Sequence, residues 1–352
     1  MAHVEDPPGV DLEALRAWMD DRGLGSGPLE DVEQLAGGTQ NVLVRFTRSG
    51  RGHVLRRPPL HKRANSDETM RREARVLAAL AGSDVPHPGL IAACPDSDVL
   101  GAAFYLMEPI EGFNPASGLP EPHRSDPAMR RSMGFSMVDA IAALALVDHE
   151  AVGLGDFGKP DGWLERQVPR WRRQLDSYAE LDGYPGPDIP GVEEVSAWLE
   201  GHRPATWHPG IIHGDFHFAN VLVRPDAPDL AAIVDWELCT IGDPLLDLGH
   251  LLSTWPPEDD GGGAGAGAVG AGISGLPTKA ELVARYAERT GRDTGDVDWY
   301  HALAAYRLGI ILEGTHARAF AGKAPKEIGD LLHATTVGLF ERALTVIHEA
   351  AV

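Results

Sequence analysis

The sequence predicts an α+β fold in two lobes, a β-rich first lobe over residues 1–110 and a mainly helical second lobe over 111–352. Three observations carry this expectation. Segments with strand-like alternation are concentrated in the first part of the chain. Helical spacing dominates from about Asp126 onward. One short β-rich interruption, at 211–236, breaks the helical part. At roughly 150 residues per domain, a chain of 352 residues suits two domains or one bilobal one.

Residues 11–22 place Leu12, Leu15, Trp18 and Met19 at helical spacing, and Gly23 stops the helix. A strand over 31–36 leads into Gly37-Gly38-Thr39-Gln40-Asn41, and a second strand follows from Val42 to Phe46. Ser49-Gly50-Arg51-Gly52 reads as a turn, and His53-Val54-Leu55-Arg56 begins a third strand. The spacing of Glu73, Val76, Leu77 and Leu80 predicts a helix over 66–81. Residues 103–108 read as a buried strand that Pro109 ends. Helices are expected over 126–148, 161–180, 191–201, 244–253, 278–290, 296–320 and 326–349. The Gly/Ala-rich stretch Gly261–Gly275 cannot bury a core and reads as a surface loop of the second lobe.

Hydrophobic residues make up 43% of the chain, enough for a sizeable core. The formal net charge of −21 argues against nucleic-acid binding, which needs clustered Lys and Arg to neutralise phosphates. No stretch approaches the roughly 18 apolar residues of a membrane span, so no membrane association is expected. The acidic N-terminal segment lacks the apolar core of a signal peptide, and Cys94 and Cys239 have neither zinc-site nor disulfide-framework spacing. A cytoplasmic protein, monomeric or homodimeric, is the expectation.

The chemistry-bearing run is Ile211-Ile212-His213-Gly214-Asp215-Phe216-His217-Phe218-Ala219-Asn220, followed by Ile233-Val234-Asp235-Trp236-Glu237. Phosphoryl transfer needs a carboxylate to orient an acceptor hydroxyl and take its proton. It also needs hard oxygen donors to hold magnesium against nucleotide phosphates. Asp215 suits the first task, and Asn220 and Asp235 suit the second. His213 and His217 straddle Gly214 without a third ligand pattern, which does not suggest zinc.

The ordered series H-G-D-x-x-x-x-N, V-D-W-E, G-D-P and D-L over His213–Leu248 resembles the aminoglycoside phosphotransferase and choline kinase superfamily. Within it, the chain looks most like the branch sometimes fused to acyl-CoA dehydrogenases, over roughly residues 25–345. The resemblance implies a protein-kinase-like bilobal fold and a small-molecule kinase using ATP or GTP with Mg2+. It makes Asp215 the catalytic base, has His213 fix the catalytic loop, makes Asn220 and Asp235 metal ligands and leaves Asp247 structural.

For the nucleotide, Gly37, Gly38, Thr39 and Asn41 are expected to approach the phosphates. The family's usual strand Lys is missing; the lysines are Lys62, Lys159, Lys279, Lys323 and Lys326. Arg56 takes its place, with Glu73 as partner, although Arg57 is an alternative. Strand alternation puts these two arginines on opposite faces, so one of them alone can serve. The connection 105–112 implies adenine contacts by backbone near Glu108 and Ile110.

For the acceptor, His217, Glu237, Trp255, Tyr306, Glu313 and His316 are candidate lining residues. A hydroxy acid or hydroxyacyl metabolite would call on Arg307 and Arg318, and an aminoglycoside on acidic groups; the sequence leaves both open. A second reading is a nucleotide-binding pseudokinase or regulatory module. Retention of Asp215, Asn220 and Asp235 favours the enzyme, and the absent Lys is the mark against it.

Overall fold

A computed structural model describes residues 6–35, 41–256 and 273–350. The chain divides into two compact units, residues 1–111 with 232–237, and residues 112–231 with 238–352. The short segment 232–237 therefore groups with the first unit, although the residues on both sides of it in sequence group with the second. Two bonds fix it there: Ile233 N–H donates to Pro86 O at 2.8 Å, and Asp235 pairs with Arg56.

The first unit opens with α1 (Leu12–Asp21), capped by Asp11, whose carboxylate accepts from Ala14 N–H at 2.8 Å. Its strands are β1 (Glu30–Gln34), β2 (Val42–Arg48), β3 (Arg51–Arg57), β4 (Leu90–Cys94) and β5 (Phe104–Met107). They form one antiparallel sheet in the order β1-β2-β3-β5-β4. In β2 the inward face, Val42, Val44, Phe46 and Arg48, alternates with less buried positions. Leu15, Trp18 and Met19 of α1 join Val44, Phe46, Leu55, Phe104 and Leu106 in one core. Helix α2 (Ser66–Ala79) buries Met70, Glu73, Val76 and Leu77.

Two local readings are corrected. The turn between β2 and β3 is tighter than the sequence suggested, because Arg51 and Gly52 already belong to β3. Ser49 at φ 51° and Gly50 at φ 74° form the whole two-residue connection, whose positive φ angles match the twist of a hairpin. Strand β4 was not anticipated: its Leu-Ile-Ala-Ala-Cys sequence is short and mostly only partly buried, so no alternation marks it.

In the second unit the helices are α3 (Pro127–Ala145), α4 (Trp163–Ser177), α5 (Val192–Gly201), α6 (Leu245–Thr254), α7 (Lys279–Thr290), α8 (Val297–Phe320) and α9 (Lys326–Glu349). Asp126 caps α3 with Pro127 at its first turn, and Thr278 and Glu281 form a reciprocal capping box on α7. Helix α8 is apolar on nearly every side from Trp299 to Ala317 and is correspondingly buried. Short strands interrupt the helices in sequence: β6 (Gly210–Ile212), β7 (Val221–Val223), β8 (Leu230–Ile233), of which Ala232 and Ile233 group with the first unit, and β9 (Thr240–Gly242). The β-rich interruption thus runs to Gly242, further than the expected 236, because β9 pairs antiparallel with β6. Of the glycine-rich stretch, 261–272 lie outside the described residues.

Candidate functional site

In the second unit, β6 delivers the chain into the loop His213–Asn220. Asp247, on the first turns of α6, holds the start of this loop. Its carboxylate accepts from His213 N–H at 2.7 Å and Gly214 N–H at 2.8 Å. Burial pushes the Asp247 carboxyl up, while the nearby His213 and these N–H donors pull it down. Gly214 has φ +83°, and a Cβ there would lie 2.6 Å from the Leu238 carbonyl oxygen. Only glycine fits. The Gly214 carbonyl accepts from the guanidinium of Arg307, a buried residue of α8 that also lies over the Trp171 ring at 5.2 Å. Arg307, raised above as an anion contact, is therefore committed to the loop backbone.

The loop then turns on side-chain bonds. Asp215 N–H donates to His213 Nδ1 at 3.2 Å, and Ala219 N–H donates to His217 Nδ1 at 3.1 Å. Asn220 Nδ2 donates to both the backbone oxygen and Oδ2 of Asp215, each at 2.9 Å. The bonds orient the Asn220 amide with its oxygen directed away from Asp215. Asp215 Oδ1 lies 3.3 Å from His250 Nε2 and 3.6 Å from His217 Nε2. Burial alone would raise the Asp215 carboxyl, but the approach of His217 and His250 holds it well below the usual carboxylate range. Burial lowers His250 to about 4, so that imidazole is neutral at pH 7.

His250 escaped the sequence reading. The signal was its spacing from Asp247, since i and i+3 on α6 face the same way and reach the same loop. Asp215, His217 and His250 bring three metal-type ligand atoms within 4.8 Å. Yet His217 Nδ1 accepts a backbone N–H, so its ring proton sits on Nε2, facing Asp215. While the Ala219 bond holds Nδ1, Nε2 faces Asp215 as a donor.

The first unit carries the second group of expected residues. Arg56 on β3 lies 2.9 Å through Nε from Glu73 Oε2 of α2, and its Nη2 donates to Asp235 Oδ1 at 2.6 Å. Tyr105 OH donates to Glu73 Oε2 at 2.7 Å. Burial drives the Glu73 carboxyl up against the opposing pull of Arg56 and Tyr105. Arg57 points elsewhere and donates to Gly9 O. Of the two arginines, Arg56 is the one paired with Glu73. Asp235 is one of the few non-glycine residues at positive φ, 66°, a conformation that Asp tolerates. Glu73, Asp235 and Glu237 bring ligand oxygens within 4.8 Å of one another. Glu237, expected at the acceptor, is thus grouped with Asp235.

Glu108 N–H is taken by Gly89 O at 2.8 Å, and its carboxylate pairs with Arg51, while Ile110 N–H has no backbone acceptor among the described residues. Gly37, Gly38 and Thr39 lie outside the described residues; Asn41 is half-buried just before β2. Among the acceptor candidates, Trp255 is buried, stacks on Phe218 and donates to Pro277 O at 2.9 Å. Tyr306 is wholly buried against Phe340. Glu313 and His316 come together with His333 and Tyr184, neither of which the sequence singled out. Asp243 of the G-D-P motif is a structural anchor, binding Arg292, Tyr300 OH at 2.7 Å and Leu245 N–H at 2.9 Å.

The model of a phosphotransferase enzyme family matches residues 31–300. A solved structure described as a putative aminoglycoside phosphotransferase from Ralstonia eutropha JMP134 is 33% identical, with a TM-score of 0.76, over 95% of this chain and 98% of that one. An aminoglycoside phosphotransferase APH(4)-Ia, solved with AMP-PNP and hygromycin B, shares the fold at a TM-score of 0.57 and 16% identity, over 96% of this chain and 99% of that one. Acyl-CoA dehydrogenase family member 10 of Mus musculus is 30% identical over 328 residues, which is 91% of this chain but 30% of that protein.

Proposed function

From the premise that this chain belongs to the phosphotransferase enzyme family, we propose that it moves the γ-phosphate of ATP or GTP to a hydroxyl of a small molecule. The observation that carries this reading is the Asp215 carboxylate, ionised, aligned by Asn220 and held on a loop that Asp247 and Arg307 anchor. Asp215 orients the acceptor hydroxyl. As the acceptor oxygen bonds to the γ-phosphorus and the bridging oxygen leaves with ADP or GDP, Asp215 takes the hydroxyl proton. A weakly basic carboxylate suits a transition state with little bond formation to the nucleophile, in which the proton leaves late.

Arg56 is assigned to the nucleotide phosphates, with Glu73 as the buried counter-charge that orients it. Asp235 and Asn220 are each assigned as magnesium ligands. Their hard oxygen donors fit that ion. Bound magnesium supplies charge neutralisation at the phosphates. Asn41, Glu108 and Ile110 remain nucleotide contacts in this reading, and His217, beside Asp215, remains an acceptor contact. Two buried free cysteines support a reducing, cytoplasmic setting.

A second reading, a nucleotide-binding module without turnover, is favoured by one observation: Arg56 ties up Asp235 Oδ1 at 2.6 Å. A screen of hydroxylated acids, their thioesters, amino alcohols and aminoglycosides for nucleotide consumption separates the two. Turnover is expected with at least one class, and Asp215→Ala should lower it by about 10²–10⁴ while nucleotide stays bound. Turnover undiminished in that variant would overturn the role of Asp215. Nucleotide binding with no turnover across the panel would favour the second reading.

A further inference from the structure

The helical unit holds a polar cluster around Glu313 and His316, two of the residues the sequence offered for the acceptor. Helix α8 carries Glu313-x-x-His316, and α9 carries Asp330-x-x-His333. In each helix a carboxylate and an imidazole three residues apart share one face. This is an arrangement by which facing helices of a bundle build metal sites. The ligand atoms of Glu313, His316 and His333 lie within 4.8 Å of one another.

The details favour a ligand over a simple ion pair. Glu313 is wholly buried; His333 Nδ1 lies 2.8 Å from its Oε2, and Tyr184 OH donates to its Oε1 at 2.6 Å. Tyr184 thus fixes the carboxylate as outer partners fix metal ligands. The His316 and His333 rings stack at 4.4 Å with their planes 20° apart, so an ion held by both requires one ring to turn out of the stack. His316 is only 9% exposed, and its Nδ1 has no hydrogen-bond partner, though Asp330 Oδ1 stands 3.8 Å away. A buried ring nitrogen without a partner is costly unless something binds it. His333 and Asp330 remain partly exposed and give a route in from solvent.

We infer that Glu313, His316 and His333, with Asp330 at the rim, form a site for a divalent transition metal, separate from the residues assigned to magnesium. Two imidazoles and a carboxylate suit Zn2+, Co2+ or Ni2+, whereas Mg2+ prefers an all-oxygen shell. The ion replaces the proton between His333 and Glu313 and clamps the C-terminal part of α8 to the N-terminal part of α9.

The test uses the full chain, stripped with chelator and then kept in millimolar MgCl2. Titration with CoCl2 should give one equivalent of bound ion with visible absorption of low-coordinate Co2+, and ZnCl2 should displace it. His316→Gln and His333→Gln should each remove the band, and Tyr184→Phe should weaken binding about 10–100-fold. His217→Gln should leave it intact. Absence of saturable Co2+ or Zn2+ binding by the wild-type chain would overturn the inference, and that measurement does not depend on any variant folding. So would a band that survives both glutamine variants, or one lost with His217→Gln. Circular dichroism of each variant verifies that a lost band reflects a lost ligand.

Discussion

Asp247→Asn tests the anchoring of the catalytic loop without needing an acceptor. The substitution keeps the shape of the side chain and changes what it can accept. The carboxylate takes two backbone N–H groups at 2.7 and 2.8 Å, both buried. Asparagine offers one oxygen, and its NH2 would face the second N–H. Hydrogen bonds to charged groups are worth about 1.5–3 kcal/mol, and an unsatisfied buried donor costs about 1–3 kcal/mol. Burial disfavours the charged carboxylate, so removing the charge returns part of that loss. The expected net destabilisation is about 3 kcal/mol, a large share of a typical domain's stability. Urea unfolding followed by circular dichroism measures it, and hydrogen exchange at the His213 and Gly214 amides localises it. A variant within about 0.5 kcal/mol of wild type, with both amides still protected, would refute the anchoring argument.

Arg56→Lys should weaken nucleotide affinity about tenfold or more, since an ammonium cannot reproduce the guanidinium's forked contacts, whereas Arg57→Ala should leave affinity within about twofold and lower thermal stability by releasing Gly9. Equal effects on nucleotide binding, read by calorimetry, would put the wrong arginine at the phosphates. Stability should also fall in acid through His301, whose burial lowers its pKa to about 3. The unfolded chain takes up that proton near pH 6.5 and the native one only near 3, so stability present above 6.5 is lost as pH falls. Between pH 7 and 5 this amounts to about 2 kcal/mol, with His250, at about 4, acting in the same direction. His301→Phe should flatten the urea-measured pH dependence by that amount; an unchanged slope would count against the burial argument.

The elements that the sequence made legible are those with a strong period or a firm stop. The helices from α6 to α9 fall within two residues of expectation because apolar spacing, the Thr278 capping box and the glycine at 291 bound them. Strands β4 and β9 were missed for the opposite reason: each is short, and its identity comes from pairing with a distant strand, β5 or β6. The same division holds in the site. His213, Asp215 and Asn220 lie in one contiguous run, so spacing brought them together. His250, Tyr184 and His333 reach their partners through tertiary packing, which a local pattern does not encode. The acceptor candidates Trp255 and Tyr306 are both buried. Both side chains are large and apolar enough to be taken into the core, which residue type alone does not distinguish from a pocket wall.

Residues 232–237 give the first unit a sequence discontinuity with consequences for how the chain is made. A ribosome releases the first 111 residues long before Asp235 exists. Until then β3 carries Arg56 with Glu73 but without its second carboxylate, and Pro86 O lacks the Ile233 N–H. The first unit is therefore completed late, by a closure spanning more than a hundred intervening residues, and such long-range closures are slow to form. A gene fragment cut after residue 111 would encode the whole five-stranded sheet and still lack the piece that finishes it.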